Sequence, residues 1–111
     1  MTPHPSTQII ETLVWNGRTI EVRYEPDWCG LSELGPGRQL THLEIQTVEP
    51  AMAPLPVTET GYRSHFVPLG DVEEVGGPAA YVRRWLDREA QRPVWRRIEA
   101  AWRQLDLFDH H

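Results

Sequence analysis

His42 and Glu44 stand two residues apart, and His65 follows further along the chain. Two imidazoles and a carboxylate are the ligand types of a facial iron site. Residues at i and i+2 of a strand project from the same face, so His42-Leu43-Glu44 can present both groups together if it lies in a strand. That reading makes the chain a small metal-dependent enzyme using His42, Glu44 and His65. No spacing signature ties His65 to the other two, and two polar residues on a solvated sheet face describe the same pattern. Cys29 with His65 would be a nucleophile and base. No cationic group or helix start adjoins the thiol, which argues for an inert cysteine. Phosphate loops, zinc spacings and nucleophile elbows are missing from the sequence. The expectation is a protein that is not an enzyme and takes no cofactor.

Arg84, Arg88 and Arg92 recur every four residues, close to Arg96 and Arg97. On a helix such a row lines one face and can meet phosphates. Asp87 and Glu89 interrupt it, which favours a solvated, ion-paired face over direct binding of nucleic acid. The wider charge pattern agrees. The formal charge is −5, the chain has no lysine, and residues 1–78 hold four arginines against eleven acids. Residues 79–111 reverse the sign, with seven arginines against five acids. Glu11, Glu21, Glu25, Asp27, Glu44, Glu49 and Glu59 make an acidic sheet half. An acidic inhibitor that imitates nucleic-acid phosphates, or another protein-binding module using the sheet face, is therefore an alternative function.

The elements that must position these residues follow from periodicity. Ile9–Trp15 alternates apolar and polar, Asn16-Gly17 follows, and residues 18–24 alternate again. Two such runs joined by Asn-Gly mark a β-hairpin, because a type I′ turn needs positive φ at both central residues. A two-residue loop pairs Trp15 with Arg18, Leu13 with Ile20 and Ile9 with Tyr24. Leu13, Ile20, Val22 and Tyr24 then share a face with Ile9 and Trp15. Residues 26–38 read as a loop holding Trp28 and Cys29. Residues 40–48 read as a third strand, antiparallel to the hairpin. Three prolines make residues 50–56 irregular, and 57–60 suit a short extended segment. Residues 61–68 alternate as a fourth strand, with Arg63 and His65 on one face and Tyr62, Ser64 and Phe66 on the other.

Asp71 is the N-cap candidate of a short acidic helix ending at Glu74. Gly77-Pro78 opens a longer helix over residues 79–92, with Val82, Trp85 and Leu86 marking its faces. Pro93 starts another or kinks the first. In it Val94, Ile98, Ala101 and Leu105 fall on one stripe, flanked by Trp95 and Trp102. The fold class expected is α+β: a three- to four-stranded antiparallel sheet, begun by the N-terminal hairpin, packed against two or three C-terminal helices. The chain reads as a single domain, 1–111, with a loose arm at 1–7. No apolar run approaches a membrane span and residues 1–8 lack a secretory leader, so a cytoplasmic, soluble protein is expected.

The final helical segment closes on Gln104-Leu105-Asp106-Leu107-Phe108. This pentapeptide resembles the clamp-binding motif of bacterial replication and repair proteins, a short Gln-Leu-Ser/Asp-Leu-Phe peptide that docks on the β sliding clamp. All five positions match, over five residues of 111. The resemblance implies a protein partner, the clamp, bound through Gln104, Leu105, Asp106, Leu107 and Phe108 on an exposed peptide at 104–111. The competing reading packs Leu105, Leu107 and Phe108 on the domain's own core. The whole chain also resembles short proteins of bacterial plasmids and other mobile elements, through Thr58-Glu59-Thr60-Gly61-Tyr62-Arg63-Ser64-His65-Phe66 and the Trp102-Arg103-Gln104-Leu105 ending. The function expected is a protein-interaction module of mobile-element or DNA-replication context.

Overall fold

The computed structural model describes residues 8–26 and 39–109, with side chains as far as Leu105. The arm at 1–7 and the loop residues Asp27, Trp28 and Cys29 lie outside the described residues. Four strands, β1 (Ile9–Trp15), β2 (Arg18–Glu25), β3 (Leu40–Glu49) and β4 (Tyr62–Pro68), are followed by helices α1 (Leu69–Glu74), α2 (Pro78–Glu89) and α3 (Pro93–Asp109). The strands form one sheet in the order β1-β2-β3-β4, antiparallel throughout. This is the expected α+β class, with four strands.

The hairpin forms in the expected register, with Trp15 opposite Arg18, Leu13 opposite Ile20 and Ile9 opposite Tyr24. Asn16 and Gly17 both take positive φ, 47° and 76°, as the two-residue turn demands. Leu13, Trp15, Ile20, Val22, Tyr24, Leu43 and Ile45 are buried on one sheet face, against Val72 of α1, Val82, Trp85 and Leu86 of α2, and Trp95 of α3. The other face stays open, as an antiparallel sheet allows.

The proline-rich stretch after β3 is irregular but not peripheral. Ala53 and Leu55 are fully buried, because the core side supplies partners for their backbone. Thr47 Oγ1 donates to Ala53 O at 2.8 Å and Arg18 Nε to Pro54 O at 2.8 Å. Residues 55–58 form a turn closed by paired hydrogen bonds between Leu55 and Thr58, and 59–60 turn again, so 57–60 is not an extended segment.

Helix starts differ from expectation in one place. Asp71 lies in the first turn of α1, and the N-cap position is Pro68, whose side chain makes no capping bond. Pro78 does open α2 after Gly77. The cap of α2 comes from across the sheet: the Ala79 N–H donates to Glu11 Oε1 at 3.1 Å. A carboxylate there meets both an orphan donor and the positive end of the helix dipole.

Candidate functional site

The open sheet face carries a polar network rather than a field of one sign. Arg23 Nε lies 2.6 Å from Glu21 Oε1, and that carboxylate raises the Arg23 pKa. Tyr62 donates to Glu44 Oε2 at 3.1 Å, which holds the phenol proton more tightly. His42 sits 3.8 Å from Glu44 Oε1 and 2.7 Å from Ser64 Oγ, with its ring 4.9 Å from Phe66. Glu11 faces the helices. The acids named from the sequence therefore do not share one surface.

The proposed metal triad does not assemble. His42 and Glu44 do share the open face, but β4 pairs so that His65 stands opposite Leu43, on the core side. There the His65 ring lies 4.4 Å from Trp85 and 6.3 Å from Tyr81. Burial, and then the charge of Arg63, lower its pKa. Among the described residues no group of three His, Cys, Asp or Glu side chains could hold a metal ion. Cys29 lies outside the described residues.

Arg84, Arg88 and Arg92 are all exposed along one side of α2 and the turn after it. The two acids set between them behave differently. Asp87 turns towards β1 and accepts from Trp15 Nε1 at 2.8 Å. Glu89 pairs with Arg92 at 2.8 Å and approaches Arg88 at 4.0 Å.

The third helix is held only at its start. Trp95 is buried, tilted against Trp15 with ring centroids 5.8 Å apart, and the Arg18 guanidinium covers it at 5.2 Å. Arg18 is itself buried, and burial lowers its pKa against the raising influence of Glu99. Asn16 of the hairpin turn donates to Glu99 Oε2 at 2.8 Å. Further along, Ala100, Ala101, Arg103, Gln104 and Leu105 are exposed, while Trp102, on the side of Trp95 and Ile98, is half-buried. The expected stripe of Val94, Ile98, Ala101 and Leu105 is corrected accordingly. The packed side is Trp95 with half-buried Ile98, while Val94 is 45 % and Leu105 61 % exposed. The backbone of 106–109 continues the helix, and the side chains of Asp106, Leu107 and Phe108 lie outside the described residues.

The KlcB third domain family matches residues 9–95, from the first strand to the anchoring tryptophan of α3. The chain belongs to that family. A KlcB-type domain points to a plasmid-associated accessory protein, compatible with a mobile-element context. No curated protein and no solved structure matches the chain. The family match ends at Trp95, so the pentapeptide at 104–108 lies outside it. Among the described residues no helix is long and apolar enough to cross a membrane.

Sequence reasoning passed over the partners that decide these arrangements. Glu11 shares a face with Leu13 in the hairpin register, and that was a usable sign that it points at a helix. The turning of Asp87 to Trp15 and the burial of Arg18 under Trp95 had no local signal.

Proposed function

We propose that this chain is a non-enzymatic interaction module of mobile-element context, whose third helix presents residues 104–108 to a bacterial β sliding clamp. The observation that supports this reading is the exposure of Leu105, 61 %, towards the end of α3. The packing alternative needs that leucine against the core. Exposed Gln104 stands beside it, with an amide able to donate and accept at a pocket rim. The apolar positions would supply the few buried anchors that carry most of the energy of such a contact.

Docking is compatible with a helical resting state. The last carbonyls of a helix have no internal partners, and helix ends open at little cost. The peptide can therefore change conformation as it binds, while Trp95 keeps the rest of the helix fixed.

The test is calorimetric titration of the chain into a purified bacterial clamp, beside a Leu107→Ala/Phe108→Ala variant. Binding in the micromolar range, weakened about tenfold or more in a variant that melts at the wild-type temperature, is the expected outcome. Absence of binding by the wild type, or a variant that melts much earlier, contradicts the reading and assigns the two side chains to packing.

A further inference from the structure

A cleft of about 470 Å³ opens between α1 and α2, in the size range of small-ligand sites. Half-buried Tyr81 gives it an aromatic wall and the largely buried Trp85 contributes only an edge, while Arg84 and Arg88 supply cations and Asp71 and Glu74 carboxylates. Trp85 also lines a second cleft, of about 280 Å³, where Arg63 and Arg92 stand. Cations therefore flank one aromatic residue on both sides, and the Arg63 guanidinium lies 5.7 Å from the Trp85 ring.

The cations on the first side are available. The acid that seemed to interrupt them, Asp87, is committed to Trp15. Glu89 makes its short contact with Arg92, at 2.8 Å, and leaves Arg88 at 4.0 Å. Arg84 meets no carboxylate among the described residues. Arg84 and Arg88 are about one helical turn apart, roughly 6 Å along the axis. Asp71 and Glu74 would repel a phosphate, but a carboxylate accepts hydrogen bonds from the amino edge of a base such as cytosine. Phosphate, ring and amino edge are the three parts of one nucleotide. Beyond Trp85, Arg63 falls where a neighbouring phosphate would follow, while Arg92 of the second cleft is paired with Glu89.

We propose that this surface binds single-stranded nucleic acid, with phosphates along Arg84 and Arg88, continuing towards Arg63, and a base entering the α1–α2 cleft. A charged track beside aromatic side chains is how proteins hold unpaired strands, whose base faces are free to stack. A duplex keeps those faces covered. The surface is separate from residues 104–108, so the outcome bears on neither side of the clamp reading.

The experiment is fluorescence anisotropy of a short labelled oligodeoxycytidylate with the full chain. Binding at low salt is expected, falling with a log–log salt slope of about 0.7 per phosphate contacted. Arg84→Ala/Arg88→Ala should weaken it about tenfold or more, whereas Arg96→Ala/Arg97→Ala, which removes equal charge from α3, should change it less than about twofold. All four arginines are exposed, and melting curves check that both variants fold as the wild type does. Cytidine monophosphate and the matching duplex should compete far less well than the unlabelled oligonucleotide. No binding at low salt, equal losses in the two variants, or equal competition by the monophosphate or the duplex would overturn the proposal.

Discussion

Asp87 and Glu89 are neighbours in sequence with different commitments, and the difference decides what the arginine row can do. One is turned to the indole of Trp15 and the other to Arg92. Charge counting along a helix treats them alike, since it has no access to which acid faces a sheet. His65 shows the same limit. Its alternation with Arg63 was legible, but its burial against Trp85 depends on the pairing of β4 with β3. Its depressed pKa has a consequence for stability. The unfolded chain, with a histidine near the ordinary value of 6.5, takes up a proton before the folded chain does. The folded state is therefore favoured by His65 above that pH and loses this contribution as pH falls through the folded pKa. Thermal melting should drop between neutral pH and about pH 5 more steeply in the wild type than in His65→Phe, which keeps an aromatic ring without a titrating group. Parallel pH profiles for the two proteins would remove His65 from the account.

Among the elements, the hairpin was the most legible, because Asn16-Gly17 fixes the register and the register fixes which face is buried. The helix breaks at Pro78 and Pro93 were legible too, since a missing N–H is local information. The stretch between β3 and β4 was not. Its prolines exclude regular structure, but its backbone is met by Thr47 in the preceding strand and by Arg18, which lies far from it in sequence. Gly61 closes that stretch with φ at 79°, and a Cβ there would lie 2.8 Å from the Met52 carbonyl carbon. That atom, with Ala53 O and Met52 Cα at 2.9 Å, is backbone and cannot swing aside. Gly61→Ala should therefore destabilise the fold by roughly 2–4 kcal/mol, read from chemical denaturation. A change below about 0.5 kcal/mol would mean that the segment relocates freely. The stripe of α3 was misplaced for a related reason. Periodicity shows that a helix has an apolar side, whereas the side that is buried is chosen by Trp95 meeting Trp15 and Arg18.

At the scale of the molecule, the helices cover one sheet face, the family match ends at the foot of α3, and Arg103, Gln104 and Leu105 further along that helix are exposed. The pentapeptide itself was fully legible in the sequence. The exposure of Gln104 and Leu105 was not, because the alternative, a Leu-Phe end packed on a small core, has the same composition. Removing residues 104–111 separates the two directly. On the proposed reading the shortened chain should melt within about 2 °C of the full chain and should lose measurable binding to the clamp. A shortened chain that still binds the clamp, or one whose melting temperature falls by about 8 °C or more, would contradict the account.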